Sequence, residues 1–366
     1  MRKFKHPVLM VLLGLFVAVA VLITILYLTA NRYTSTFSPE HATSRQQEID
    51  SVIHDFVDNE QFNGTVLVAV GDEIIFEEGY GYAKRYFGRT PNTADTKFLI
   101  GSMTKSFTAA AILSMEKKGL LSLDDKVVKY FPEYTLWADI TVQQLLNHTS
   151  GIKNYYESPG DFVKYYMGHK TPAEILDAVK ETPLNFESGM DYEYSNTNYI
   201  LLSAMIEKVT GKSYIDYLNT NLFEPMGLAD TGYEEYPDRI DGMANGYCAG
   251  MFIETAGFNL SNFYGAGGLY SSAEDIYRFI SQLDMQSQMR NKSMNEFQDI
   301  YFYGNGMLLE NHPTLGEIFS HTGGGPGIST GMYDFADQDV IVVILNNNTE
   351  FMTDNMAVKI CEVVNQ

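Results

Sequence analysis

Apolar and polar positions follow patterns that predict strands at both ends of a domain and helices between them. Thr65–Val70 and Glu73–Glu78 have the composition of short strands, and Gly71-Asp72 between them is typical of a hairpin turn. Near the other end, strands are predicted over Ile328–Asp334 and Val340–Asn346, the second dense in β-branched residues. This arrangement predicts one sheet that is assembled from distant parts of the chain.

Helical periodicity fills much of the remaining sequence. Apolar residues recur every three or four positions from Ser102 to Lys118. Between about residues 120 and 259, helical patterns such as Thr141–Leu146 and Thr197–Thr210 alternate with loops rich in Pro, Gly and Asn. A last helix is predicted over Glu350–Val364. The middle of the chain is therefore expected to be mainly helical.

The beginning of the chain has the pattern of a membrane segment. Residues 8–30 are apolar and uncharged, and this run is long enough to cross a hydrocarbon core, which needs roughly 20 residues. The basic residues before it predict a cytoplasmic start over residues 1–7 and an extracytoplasmic location for the rest. A cleavable signal peptide is the alternative, but the run is long and no clear cleavage site follows it. A single-pass anchor in the cell membrane is favoured.

One domain is expected after the membrane segment. Residues 31–47 are polar and aperiodic, which predicts a linker. Helical spacing of apolar residues then begins at Ile49, so the domain is predicted over residues 48–366. Hydrophobic residues make up 45% of the chain and charged residues 19%, a composition that builds a folded core rather than a disordered chain.

Charge and cysteine content exclude several classes of function. The chain has 46 acidic and 25 basic side chains, a formal net charge of −21, which repels phosphate backbones and argues against nucleic-acid binding. Two cysteines, Cys248 and Cys361, cannot form a disulfide scaffold or a cysteine-ligated zinc site. One disulfide is possible, but two free thiols are favoured. The seven histidines form no close pair typical of metal ligands, so neither a metal nor another cofactor is predicted.

The first candidate for chemistry is Ser102-Met103-Thr104-Lys105. Ser102 and Lys105 lie one turn apart at the start of a predicted helix and share a face. A serine hydroxyl is a weak nucleophile, and a lysine amine in a partly dry cleft can activate it once its pKa falls. N–H groups at the helix start can bind an oxyanion. Taken alone, a helix cap beside a solvated lysine explains this common motif more simply.

Two further motifs are Tyr194-Ser195-Asn196 and His321-Thr322-Gly323-Gly324-Gly325. A tyrosine phenol can act as a general base if neighbouring cations lower its pKa, and an asparagine can donate to a substrate carbonyl. Glycines beside a strand let a substrate backbone approach closely. Singly, a packed aromatic residue and a glycine-rich turn explain these stretches.

Together, in this order and spacing, the three motifs resemble those of the serine β-lactamase and penicillin-binding protein superfamily. Tyr-Ser-Asn in place of Ser-Asp-Asn is similar to class C β-lactamases, low-molecular-mass DD-peptidases and related esterases. Residues 62–68 (FNGTVLV), 145–151 (LLNHTSG) and 265–272 (GAGGLYSS) also resemble those relatives. The resemblance runs from about residue 48 to the C-terminus.

The resemblance implies an α/β (α+β) fold, with a central antiparallel sheet flanked by helices, an inserted mainly helical subdomain and a cleft between them. It implies that Ser102 is the nucleophile that becomes acylated and that Lys105 and Tyr194 relay its proton. The backbone N–H groups of Ser102 and Gly324 would form the oxyanion hole. The residues to which it assigns substrate binding are Asn196, His321, Thr322 and Gly323.

His321 departs from the pattern of relatives that bind β-lactams or peptidoglycan stems, which usually carry lysine there. A histidine is mostly neutral at pH 7 and brings little charge to a substrate carboxylate. We therefore expect an ester or amide hydrolase, with cell-wall D-alanyl groups, a peptide stem or a small ester as substrate. A preference for carboxylate-bearing substrates is expected to grow as the pH falls through the titration of His321.

Two alternatives stay open at this point. One is a β-lactamase, against which His321 argues, and the other is a sensor or scaffold that binds penicillins with little turnover. A further serine motif, Gly327-Ile328-Ser329-Thr330-Gly331, matches the nucleophile elbow of α/β-hydrolases. That elbow needs a helix directly after the serine, whereas Ser329 is predicted inside a strand, so it is not expected to be the nucleophile.

Overall fold

A computed structural model describes residues 15–21, 34–60, 62–86, 88–156, 168–248, 253–255, 259–290, 292–294, 301–349 and 351–366. The predicted cytoplasmic start and most of the predicted anchor, residues 8–30, lie outside these ranges. Residues 15–21 are helical and exposed. Among the described residues, none of the helices combines the length and the apolar character needed to cross a bilayer.

The strands, in chain order, are β1 Gly64–Val70, β2 Glu73–Tyr80, β3 Tyr82–Lys84, β4 Thr90–Pro91, β5 Phe98–Leu99, β6 Gly232–Tyr233, β7 Tyr247–Cys248, β8 Ile253–Glu254, β9 Leu269–Ser271, β10 Ser293–Met294, β11 Tyr301–Tyr303, β12 Leu308–His312, β13 Gly316–Gly325, β14 Ile328–Phe335 and β15 Val340–Asn346. The large sheet of the described chain has the order β10-β11-β12-β13-β14-β15-β1-β2. All its neighbouring strands are antiparallel. The predicted antiparallel sheet is confirmed.

The register of β1 shows how distant segments join. Gly64 lies opposite Asn346 and Val70 opposite Val340, so the N-terminal hairpin extends the C-terminal strands. Gly71 in the predicted hairpin turn has a φ of 56°, a left-handed conformation that glycine adopts without strain. The strand β15 has the predicted bounds, and β2 runs to Tyr80, two residues beyond its predicted end.

The α-helices are α1 Ser44–Glu60, α2 Thr104–Lys117, α3 Val142–Leu146, α4 Pro172–Val179, α5 Asn196–Thr210, α6 Tyr214–Leu218, α7 Glu224–Met226, α8 Ala273–Ser281, α9 Met285–Gln288 and α10 Thr353–Val364. Shorter 3-10 turns cover Pro39–His41, Gly101–Met103, Val127–Lys129, Thr135–Trp137, Pro237–Arg239, Leu260–Phe263 and Ala336–Gln338, and a π-turn covers Asn219–Phe223. Helices α3 to α7 follow one another in the middle of the chain, so the insertion is mainly helical, as predicted.

Helices cover both faces of the sheet. Side chains alternate between the two faces of a strand, so Val66 and Val68 of β1 pack in one core with α1 and α10. Leu67 and Ala69 point the other way and join the core that contains α2, α5 and α8. Because β1 is buried on both faces, its apolar run is continuous rather than alternating.

Part of the predicted linker lies against the domain. The hydroxyl of Thr34 and the backbone N–H of Thr36 donate to the carbonyl groups of Gly81 and Gly79, respectively, beside the edge strand β2. Helix α1 then begins at Ser44, within residues 31–47. Both cysteines are free thiols, and Cys361 lies on the buried face of α10.

Candidate active site

Ser102 lies where the large sheet meets helix α2. It belongs to the 3-10 turn Gly101–Met103, which leads directly into α2. Gly101 has a φ of 52°, and a Cβ atom there would lie 3.1 Å from the Cα atom of Gly323 on β13. Strand β12 pairs with residues 316–320 of β13. On that side, residues 321–325 of β13 have no strand partner among the described residues, so this part of its edge is free beside Ser102.

Lys105 is buried one turn further along, with none of its surface exposed. Its Nζ atom is 3.1 Å from Ser102 Oγ, 2.7 Å from Asn196 Oδ1 and 2.7 Å from the carbonyl oxygen of Ala266. The two amide oxygens can only accept hydrogen bonds, whereas the serine hydroxyl can also donate. Three partners therefore surround the amine, and one of them can give it a proton.

Burial decides the protonation state of Lys105. Among the described residues, no carboxylate contacts the amine, and removal from water disfavours its charged form, so the pKa of Lys105 falls well below its ordinary value. A neutral amine has two N–H groups and one lone pair. When the two N–H groups donate to Asn196 and Ala266, the lone pair is left for the hydroxyl of Ser102. This is the geometry of a general base.

Tyr194, just before α5, and Asn196, its first residue, also lie beside Lys105. The Nζ atom of Lys105 lies 4.8 Å from the ring centroid of Tyr194. Burial raises the pKa of Tyr194 well above its ordinary value, and its hydrogen bond with Ser102 offsets this in part. The phenol is therefore protonated at neutral pH, so the condition under which a tyrosine acts as a general base, a pKa lowered by neighbouring cations, is not met. Tyr194 can pass a proton on, but it is not the resting base.

Asn196 is held in a fixed orientation. Its Oδ1 atom accepts from Lys105, while its Nδ2 atom donates to the hydroxyl of Tyr156 at 2.8 Å. Its backbone N–H donates to Asn154 Oδ1 at 3.2 Å. The amide thus connects the base to the wall of the cleft.

The ring of His321 is 3% exposed and points into the domain. Its Nδ1 atom is 2.7 Å from the carbonyl oxygen of Thr322, so Nδ1 carries the proton. Its Nε2 atom then accepts from the hydroxyl of Tyr303 at 3.0 Å. Burial and the nearby Lys105 lower the pKa of His321 to about 3. A pKa this low keeps the ring neutral in mildly acidic buffer, which argues against a preference for carboxylate-bearing substrates that grows there.

A cleft of about 60 Å³ opens beside Ser102. Its walls are formed by Gly101, Ser102, Tyr156, Asn196, Phe263, Ala266, Gly267, Gly324, Gly325, Pro326 and Ile328. A Cβ atom on Gly324 would meet nothing within 4 Å, so this glycine borders open space. The other predicted binding residues, Thr322 and Gly323, are not among the lining residues of this cleft.

Several residues that shape the site carry no signal of their own in the sequence. Ala266 acts through its carbonyl oxygen, and Tyr156 and Asn154 contact Asn196 from a loop. In the sequence, the stretch GAGGLYSS (residues 265–272) indicated this segment, because glycines permit close approach of the backbone to a neighbouring group. Leu269 within it donates its N–H to Thr104 Oγ1, which fixes α2 beside this segment.

Other sites are not supported. Ser329 lies inside β14, and its hydroxyl donates to the carbonyl of Phe351, so it is buried rather than presented on an elbow. In the part of the chain that the structure describes, no cluster of three or more His, Cys, Asp or Glu side chains could hold a metal ion.

Comparison with known proteins agrees with this geometry. The family model described as beta-lactamase matches residues 49–359. A penicillin-binding protein of Bacillus subtilis (strain 168) is 33% identical over 334 residues, 84% of this chain and 73% of that protein. A teichoic acid D-alanine hydrolase of Staphylococcus aureus is 28% identical over 307 residues, 80% of this chain and 72% of that protein.

Among solved structures, a D-amino acid amidase from Ochrobactrum anthropi SV3, complexed with D-phenylalanine, superposes with a TM-score of 0.76 at 25% identity. The match covers 88% of this chain and 99% of that one. The sheet and the helices thus occur in a known group of hydrolases. The chain belongs to the beta-lactamase family, within the superfamily of serine β-lactamases and penicillin-binding proteins, and is a serine hydrolase.

Proposed function

We propose that Ser102 attacks an ester or amide of a small acyl group, with D-alanyl esters or amides as the substrate class. The observation that carries the proposal is the position of Lys105, whose buried amine lies 3.1 Å from the Ser102 hydroxyl and donates to two amide oxygens. The hydrolase works outside the cytoplasm and is held to the membrane by residues 8–30.

In the first step, the Ser102 oxygen forms a bond to the acyl carbon as its proton moves to Lys105. The negative charge that develops on the acyl oxygen is stabilised by the N–H groups of Ser102 and Gly324. The leaving alcohol or amine takes a proton from Lys105 through the hydroxyl of Tyr194, and the acyl bond to it breaks. Water then attacks the acyl-serine by the same route in reverse.

The substrate class follows from charge and space. His321 is neutral and both of its ring nitrogens are occupied, so it offers no positive charge to a substrate carboxylate. The glycines that border the cleft, Gly267, Gly324 and Gly325, leave room for the acyl group beside Ser102. Relatives named teichoic acid D-alanine hydrolase and D-amino acid amidase also support a D-amino-acyl substrate.

The test is turnover of three chromogenic substrates by the wild-type domain and by Ser102→Ala. A D-alanyl ester, a D-alanyl-D-alanine amide and a cephalosporin are compared, with a fluorescent penicillin as a covalent label. The proposal expects the D-alanyl ester to be hydrolysed fastest and all turnover to disappear in Ser102→Ala.

Other outcomes identify the alternatives. Fast cephalosporin hydrolysis would make the protein a β-lactamase, and a persistent penicillin adduct on Ser102 without turnover would make it a sensor. Full ester turnover in Ser102→Ala would refute the assignment of the nucleophile. Ser329→Ala is the matched control, and it should leave turnover of the folded enzyme unchanged because that hydroxyl is buried in β14.

A further inference from the structure

His148 lies in the turn after α3 and accepts hydrogen bonds from the backbone on both sides of Tyr194. Its carbonyl oxygen accepts from the N–H of Glu193 at 3.0 Å. Its Nδ1 atom accepts from the N–H of Ser195 at 3.2 Å. One residue therefore binds both chain neighbours of the tyrosine, and its side chain is completely buried.

The ring of His148 also packs on the ring of Tyr194. The two centroids are 4.4 Å apart, which is close for a pair of rings. The rings of Tyr303 and Tyr199 lie 4.7 Å and 5.2 Å from the same histidine. His148 thus binds the backbone of both chain neighbours of Tyr194 and contacts the ring of Tyr194 itself.

The hydrogen bonds define the tautomer of His148. Ser195 contributes a backbone N–H, and Asn198 approaches Nδ1 with its Nδ2 atom at 3.3 Å. The orientation of Asn198 is fixed because its Oδ1 atom accepts from Ser150 at 2.8 Å. Both partners are donors, so Nδ1 is unprotonated and the proton sits on Nε2. That N–H has no acceptor among the described residues and lies within the group of tyrosine rings.

The surroundings keep the ring neutral. Burial is the largest cause that lowers the pKa of His148, and a proton on the nearby Lys105 or His321 would lower it further. Besides these two groups, the facing titratable side chains are tyrosines, and burial raises the pKa of Tyr194, Tyr199 and Tyr303, so they stay uncharged. Nδ1 therefore remains an acceptor over the working pH range.

The backbone of His148 takes the left-handed conformation where α3 ends. Its φ is 60°, and the N–H of Thr149 donates to the carbonyl of Gln144, a bond that commonly closes the C-terminus of a helix. The same conformation lets the carbonyl and the ring of His148 bind the N–H groups of residues 193 and 195.

We propose that His148 is a positioning residue that holds the hydroxyl of Tyr194 at Ser102 and its ring beside Lys105. The inference rests on the proposed role of Tyr194 as the proton relay. The Nδ1 atom supplies the decisive contact, because without it the N–H of Ser195 is left buried without an acceptor and the segment shifts. A displacement of about 1 Å at a reacting group is enough to lower turnover on the order of 100-fold.

Two substitutions at the same position separate positioning from packing. Asparagine and glycine both tolerate a positive φ, but only asparagine places an acceptor near the position of Nδ1. We expect kcat for a chromogenic D-alanyl ester to fall on the order of 100-fold in His148→Gly and to recover to within about tenfold of wild type in His148→Asn. The value is taken per mole of folded protein, measured by near-ultraviolet circular dichroism, so loss of folded protein does not lower it.

The outcomes are distinct from those for the proposed function. If wild type hydrolyses the ester through Ser102 but His148→Gly has the same kcat per mole of folded protein, the positioning role is wrong. Equal losses in both variants would also overturn it, because the acceptor would then be irrelevant.

A measurement on the wild-type enzyme covers the case in which His148→Gly does not fold. Nitrogen NMR of labelled histidine should show His148 neutral, with its proton on Nε2, from about pH 6 to 9. A proton on Nδ1 in that range would refute the proposal.

Discussion

At the scale of single residues, the chemistry of the site depends on one lysine, Lys105, which has no carboxylate partner among the described residues. Lys105 is fully buried, and its three hydrogen-bond partners are a hydroxyl and two amide oxygens. A lysine paired with a carboxylate would keep its charge, as Lys97 does beside Asp230, where the hydrogen bond raises its pKa. The absence of a counter-charge around Lys105 therefore makes a base from a residue that is ordinarily an acid.

The base is tested by Lys105→Arg. A guanidinium stays protonated at any working pH and cannot accept the serine proton, so we expect kcat for the D-alanyl ester to fall about 1,000-fold. Lys117→Met, at the exposed end of the same helix, should change kcat less than about twofold, as expected for a surface position. Substantial activity in Lys105→Arg would mean that another group removes the proton.

The pH dependence of specificity tests His321. Its folded pKa of about 3 lies below the ordinary histidine value, so the ring gains a proton only when the pH falls towards that value. The ratio of kcat/KM for a carboxylate-bearing substrate to that for a neutral ester should stay flat from about pH 5.5 to 8. A ratio that rises as the pH falls through about 6.5 would show that the ring titrates normally and faces the substrate.

The residue roles were partly readable from the sequence. Ser102 and Lys105 share a helix, so their spacing predicts their contact, whereas Tyr194 and Asn196 were placed beside them only through the resemblance. The orientation of His321 could not be predicted, because it depends on Tyr303, a strand residue outside every motif. The role of the Ala266 carbonyl could not be predicted either, since every residue has a backbone carbonyl and the sequence does not show which one contacts the site.

At the scale of elements, the close contact between the Ser102 turn and β13 determines the position of the nucleophile. A Cβ atom on Gly323 would lie 2.0 Å from the carbonyl oxygen of Ile100, whereas one on Gly324 would meet nothing within 4 Å. These neighbouring glycines therefore serve different needs. The first permits the packing of strand and turn, and the second borders the cleft.

We expect Gly323→Ala to reduce the free energy of unfolding by about 1–3 kcal/mol, the usual cost of overpacking. Gly324→Ala should leave the Tm unchanged but lower kcat/KM for the D-alanyl ester, since its methyl group enters the space beside Ser102. Thermal unfolding and ester kinetics on both variants give the comparison. An unchanged Tm in Gly323→Ala would mean that the turn and β13 are packed less closely than described.

Elements with strong local signals were predicted well. The β-branched run of β15 and the hairpin turn at Gly71 were recovered, and Thr141 is the N-cap of α3, with a capping box to Gln144. Two-residue strands such as β5 and β6 were not predicted, because each exists only through pairing with β9. The start of α1 at Ser44 was also missed, since its first turn is polar.

At the scale of the whole molecule, the net charge of −21 selects among substrates. A polymer of glycerol phosphate or ribitol phosphate is a polyanion, and long-range repulsion slows its encounter with an acidic protein. A small D-alanyl ester carries an ammonium group and is not repelled. The charge therefore favours small or weakly charged D-alanyl substrates over a bare phosphate polymer.

Ionic strength tests this effect. We expect kcat/KM for a D-alanylated glycerol phosphate polymer to rise between about 0.01 and 0.15 M salt, because screening shortens the range of the repulsion. The small D-alanyl ester is the control, and its kcat/KM should not increase. A decrease for the polymer with added salt would instead reveal a local basic surface that binds phosphate.

The most direct test of the central claim is the protonation state of Lys105 in the resting enzyme. Nitrogen NMR of labelled lysine, with the Nζ signal of Lys105 assigned by its loss in Lys105→Arg, follows this amine as the pH is varied. Because burial lowers the pKa of Lys105, we expect a neutral amine at about pH 7, where exposed lysines are charged. An ammonium signal that persists to about pH 10 would contradict the claim that Lys105 is the base for Ser102.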